Sequence, residues 1–117
     1  MKNKVNYIET ADRKYPICFN LNVLEEIQEQ YGSMKAWGEA VQPSDNSEPT
    51  IKVLKSGLVA MINEAIDIEN EQNGTNDAPV TSKQVGWIIS EVGLGVIVEK
   101  IKELTASANR VDGGKNE

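Results

Sequence analysis

The chain has 117 residues, with 12 Lys+Arg against 18 Asp+Glu, a net charge of −6 and a pI near 4.7. That length suits one domain with a modest core, and the acidity disfavours phosphate backbones and anionic lipid as partners, since no basic segment stands out. There is no histidine and a single cysteine, Cys18, so the commonest general base and metal ligand are missing and no internal disulfide can form; the sequence points away from an enzyme and towards a reducing, cytoplasmic setting.

Met1 to Lys4 is polar and leads into no apolar h-region of the signal-peptide kind. The longest apolar runs, 57–62 and 92–98, fall short of the ~20 residues of a membrane span. The expectation is a soluble, intracellular protein.

In chain order, Val5, Tyr7 and Glu9 alternate with polar residues, as do Tyr15, Ile17 and Phe19, around the polar connector Thr10-Ala11-Asp12-Arg13. Period two on both sides of a short connector predicts a β-hairpin over residues 3–20, with Tyr15, Ile17 and Phe19 on one face. Pro16 has no N–H, which places its strand at an edge.

From Asn20 the period becomes helical. Asn20 is a capping residue, with Phe19 and Leu24 at hydrophobic-staple spacing. Leu21, Leu24, Ile27 and Tyr31 form the expected stripe, and Gly32 supplies a left-handed stop. Ser33 can cap a short second helix carrying Met34, Trp37 and Val41. Residues 43–49, polar and bracketed by Pro43 and Pro49, read as a loop. The longest helix is expected from about Thr50 to Gln72, with Ile51, Leu54, Leu58, Met61, Ile62, Ala65, Ile66 and Glu69 on one face and Lys52, Lys55, Asn63, Glu64, Asp67 and Asn70 mostly opposite. Helix breakers fill residues 73–79. Thr81-Ser82-Lys83-Gln84 is a capping box ahead of Val85, Ile88, Ile89 and Val92. After Gly93 and Gly95 the pattern resumes at Leu94, Ile97, Val98, Ile101 and Leu104, which reads as two helices meeting at a glycine bend. Residues 107–117 show no apolar periodicity and are expected to form a disordered tail.

The fold expectation is therefore α+β, mainly α: one domain over residues 1–106, an N-terminal hairpin packed on four or five helices over 21–106. Its core should centre on Ile17, Phe19, Leu24, Ile27, Leu54, Leu58, Met61, Ile88, Ile97, Ile101 and Leu104.

Chemistry-bearing patterns are sparse. The carboxylates Glu25-Glu26-Glu29 and Glu64-Asp67-Glu69-Glu71 fall on polar helix faces, without histidine, paired cysteine or calcium-loop spacing, and read as solvated. Gly93-Leu94-Gly95 lacks the Lys-Ser/Thr of a phosphate loop and reads as a helix bend. Cys18 has no base or positive cluster beside it and reads as a small core or edge residue. Trp37 and Trp87 both read first as core, with an exposed anchor for a partner as the lesser reading. Residues 81–104 have the outline of a helix-turn-helix, but the second helix opens on Val96-Ile97-Val98 where base-reading side chains are wanted. No catalytic, cofactor-binding or metal-binding residue is assigned, no cofactor is expected, and the partner-binding residues are left open.

One stretch goes further. Lys14-Tyr15-Pro16-Ile17-Cys18-Phe19-Asn20-Leu21-Asn22-Val23-Leu24-Glu25-Glu26-Ile27, continuing to Gln30-Tyr31-Gly32-Ser33, resembles the opening of tail assembly chaperones from long-tailed phages and prophages of Gram-positive bacteria: a strand ending in an aromatic, an Asn/Asp-Leu-Asn step, an acidic amphipathic helix, then Tyr-Gly-Ser. The likeness extends in outline to about Leu104, except over 43–49 and 73–79. It implies a non-catalytic, mainly helical protein of the host cytoplasm that binds the tape measure protein, with the major tail protein as a further candidate client, keeps it soluble during tail assembly and is absent from the mature virion. The alternatives are a small helix-turn-helix-type transcriptional regulator using residues 81–104, or a structural head–tail or minor tail protein. Self-association is open, since an apolar groove awaiting a client can bury itself against a second copy. Many members of that family are also made in a longer form by a −1 ribosomal slip, and Gly113-Gly114-Lys115 can be encoded by a slippery stretch.

Overall fold

The alternating segments at the N-terminus pair as an antiparallel hairpin, β1 (Asn6–Glu9) with β2 (Lys14–Ile17), in the register Asn6↔Ile17, Tyr7↔Pro16, Ile8↔Tyr15 and Glu9↔Lys14. The computed structural model describes the backbone of residues 3–114 and the side chains of residues 3–107. Thr10 closes the turn, its N–H donating to the Arg13 carbonyl at 2.9 Å. Among the described residues β2 pairs with β1 alone, the edge position that Pro16 requires. Beyond the strand the chain lies against the long helix, and the Cys18 N–H donates to the Met61 carbonyl at 3.2 Å. In β1, Ile8 is buried and Tyr7 is exposed. Two adjacent apolar residues leave period two with a choice of face, and docking of the hairpin on the helices decides it.

Among the described residues five helices follow: α1 (Leu21–Tyr31), α2 (Met34–Val41), α3 (Ile51–Asn73), α4 (Ser82–Val92) and α5 (Leu94–Gly114). The fold is thus α+β, mainly α, with the hairpin packed on the helical set. Local chemistry sets most of the boundaries. The Asn20 side chain accepts from the Val23 N–H at 3.1 Å, and the Ser33 hydroxyl accepts from the Ala36 N–H at 3.0 Å, each satisfying an orphan donor of the first turn. In the capping box, the Gln84 N–H donates to Thr81 Oγ1 at 3.1 Å and the Thr81 N–H to Gln84 Oε1 at 2.8 Å. Thr50 precedes α3 without a side-chain cap; its N–H instead closes the preceding loop on the Ala40 carbonyl at 2.9 Å. Gly93, at φ 106°, is the single residue between α4 and α5, a backbone angle that disfavours a β-carbon.

The breaker-rich segment 74–80 is held by two asparagines of α3, two helical turns apart. Asn63 pairs with the Val80 backbone at both its amide atoms, 2.7 Å to the N–H and 3.1 Å to the carbonyl. Asn70 does the same with Asp77, at 2.9 Å and 3.0 Å. These bonds fold the loop back on α3 and bury Val80.

The core runs from Ile8, Ile17 and Phe19 through Val23, Ile27 and Trp37 to Leu54, Leu58, Met61, Val85, Ile88, Ile97, Ile101 and Leu104. On α1 the expected stripe positions Leu21, Leu24 and Tyr31 fall outside it. Leu21 is 65% exposed and Leu24 half-buried, while Val23 takes the central place on α1. At about 100° per residue Leu21 sits roughly 160° from Val23, on the far side of the helix. Ile51 lies on the apolar face of α3, at its first position, yet is 46% exposed. The helical backbone of α5 continues to Gly114, past the boundary at 106 where a tail is expected; no proline interrupts it. Residues 115–117, including Lys115 of the slippery stretch, lie outside the described residues.

Trp37 docks on α3 at Gly57. The indole N–H donates to the Val53 carbonyl at 3.0 Å, and a β-carbon on Gly57 would stand 2.3 Å from Cζ2 of the ring. Only glycine there lets α2 approach this closely. Among the described residues no helix is long and apolar enough to cross a membrane.

Candidate functional site

The residues singled out by chemistry disperse. Glu25, Glu26 and Glu29 are exposed on α1, as are Asp67 and Glu71 on α3. Glu64 is not a free surface carboxylate. Its Oε2 accepts from Asn20 Nδ2 and from Asn22 Nδ2, each at 2.9 Å, while Asn20 Nδ2 also donates to Asn3 Oδ1 at 2.9 Å. The Asn20-Leu21-Asn22 step is therefore a clasp that fixes the start of α1 to the middle of α3. Glu69 accepts a hydrogen bond from the Tyr7 phenol, tying β1 to α3; that bond, then burial and the Glu69 charge, raise the phenol above its ordinary pKa. Glu91 accepts from the Ala11 N–H at the hairpin tip, at 2.6 Å.

Cys18 is fully buried, and burial, with the Glu64 charge as the lesser cause, pushes its thiol up to about 12. A thiol so held is a poor nucleophile at neutral pH. Among the described residues no three His, Cys, Asp or Glu side chains gather as a metal site. Gly93 and Gly95 frame a helix junction and the first turn of α5.

The two tryptophans part company. Trp37 is 1% exposed, whereas Trp87 is 64% exposed on the outer face of α4. The wheel of α4 contained that signal: Val85, Ile88, Ile89 and Val92 share one stripe, and Trp87 stands about 200° from Val85. Helical spacing from some apolar neighbour was too weak a criterion for its burial.

Trp87 borders an open groove of about 720 Å³ between the first turns of α3 and the face of α4, lined also by Leu94. Ile51 forms the opposite apolar wall, and Lys55 and Lys83 stand on the rim. Lys55 lies over Gly86, its Nζ 3.3 Å from where a β-carbon on that glycine would be, so the missing side chain leaves room for the end of the lysine side chain. None of the nine lining residues is acidic, although the chain carries 18 carboxylates. Among the described residues neither lysine has an ion-pair partner. A smaller groove, about 400 Å³, runs between β1 and α5 past Tyr7, Val96 and Lys100. Large exposed apolar side chains beside open grooves are suited to holding another chain. Compared with protein family models, with curated proteins and with solved structures, the chain matches none of them.

Proposed function

We propose that this protein is a non-catalytic tail assembly chaperone of a long-tailed phage or prophage. It acts in the host cytoplasm, binds the tape measure protein, with the major tail protein as a further client, and is left out of the finished virion. The observation that carries a holding role is the exposed Trp87, facing Ile51 across an apolar groove of an otherwise acidic surface. Tape measure proteins are long and helical, and apolar stripes on such a chain aggregate unless covered. An acidic holder covers a stripe while its net charge keeps the complex soluble. The resemblance carried by residues 14–33 supplies the identity of the client.

The α4–α5 pair is joined by one residue, Gly93, whereas a helix-turn-helix uses a turn of three or four. The exposed side chain at the start of α5 is Val96, which offers no hydrogen bond to a base edge.

Co-expression with the tape measure protein from the same genome tests the proposal. The client's soluble fraction should rise and the two should co-purify. Unchanged solubility without a complex would refute it, and a salt-sensitive shift of duplex DNA would favour a regulator instead.

A further inference from the structure

We infer that the groove between α3 and α4 is the docking surface for an amphipathic helix whose apolar stripe is flanked by carboxylates. This assigns a surface to the client-holding reading and rests on it. The apolar elements are Trp87 and Ile51 on either wall, with Leu94. A helix laid into such a groove anchors through residues at i, i+3, i+4 and i+7. The α4 wall is 11 residues long, about 16 Å, which matches three turns of a bound helix.

Charge selects the occupant. Two lysines rim the groove, no acidic residue lines it, and the protein as a whole carries −6. Positive charge is thus placed where a partner would sit, and carboxylates beside the partner's stripe would meet Lys55 on the α3 side and Lys83 on the α4 side. A second copy pairing through the same patch about a two-fold axis would bring together two linings that hold lysines and no carboxylate, which disfavours it.

The test uses the full chain and two synthetic peptides of ~18 residues, about 27 Å as helices. Both carry leucines at helical stripe spacing; one has glutamates flanking the stripe, the other lysines. Trp87 fluorescence reports binding, because Trp37 is already buried. The glutamate peptide should shift Trp87 emission to the blue and bind at least about tenfold more tightly than the lysine peptide, with the preference shrinking as salt rises. Trp87→Ala, read by peptide anisotropy, and the double variant Lys55→Glu/Lys83→Glu should each weaken binding roughly tenfold or more. Far-UV circular dichroism verifies that these surface variants fold. Equal binding of the two peptides, binding of neither, or full binding by the variants would overturn the proposal. So would a Trp87-dependent dimer in sedimentation equilibrium without peptide, which would assign the groove to a second copy. The same variants in the co-expression assay separate this inference from the reading it rests on. If wild type and variants solubilise the client equally, the groove assignment fails and the chaperone reading stands; if wild type itself does not, the chaperone reading fails.

Discussion

Gly57→Ala should destabilise the protein, against the ordinary expectation for a helix. In mid-helix, replacing glycine by alanine contributes about 1 kcal/mol of stability through propensity alone. At position 57 the new β-carbon would lie 2.3 Å from Cζ2, 2.5 Å from Cε2 and 2.7 Å from Nε1 of Trp37, where carbon–carbon contacts are normally about 3.5–4.0 Å. The ring is rigid, 1% exposed, and held by its N–H on the Val53 carbonyl at 3.0 Å, so relief requires the indole or the whole of α2 to move. Overpacking of this kind costs about 1–3 kcal/mol, and stranding the buried indole N–H adds about 1–3 kcal/mol. After the propensity gain, the net loss should be about 1–5 kcal/mol. Urea unfolding followed by far-UV circular dichroism measures it. A double-mutant cycle isolates the cause: in a Trp37→Leu background the clash is gone, and Gly57→Ala should become neutral or stabilising. Stabilisation by Gly57→Ala in the native background, or the same change in both backgrounds, would refute the reasoning.

Asn20→Ala removes the α1 cap and one hand of the clasp on Glu64; it should cost about 1–3 kcal/mol in urea unfolding, more than a cap alone at about 1 kcal/mol. Thr81→Ala opens the capping box of α4 and should lower stability by about 0.5–2 kcal/mol, with Gln84→Ala less than additive to it. Cys18, with its thiol pushed up to about 12, should resist alkylation at pH 8 in the folded protein and react only on addition of denaturant. Because folding raises that pKa, the thiol's contribution to stability is complete below the unfolded value of about 8.5 and is lost as pH rises towards the folded one, so the urea midpoint should fall over that range more steeply than in Cys18→Ala.

How much of this molecule was legible in its sequence depends on whether the deciding interactions are local. The caps at Asn20, Ser33 and Thr81 and the stops at Gly32, Gly74 and Gly93 act within one turn of chain, so residue type and spacing sufficed for the helix boundaries. The hairpin, the helical set and most of the core, from Ile17 and Phe19 to Ile101 and Leu104, followed from periodicity for the same reason. The extent of α5 past residue 106 did not, because no apolar stripe marks that stretch.

Tertiary structure alone decided which parts of each apolar arc meet a neighbour. Ile8 went in and Tyr7 out, Val23 took the place expected for Leu21, and Ile51 stayed at the surface despite lying on the right face. Periodicity defines an arc about 100° wide, but the height and angle at which another element crosses it determine what is covered. The Asn20–Asn22–Glu64 clasp and the Trp37 seat on Gly57 join residues far apart in sequence, and no local pattern encodes such a meeting. The candidate site divides the same way. The orientation of Trp87 away from the α4 stripe was written in the sequence at 100° per residue, whereas its juxtaposition with Ile51 and Lys55 exists only because α3 and α4 pack side by side.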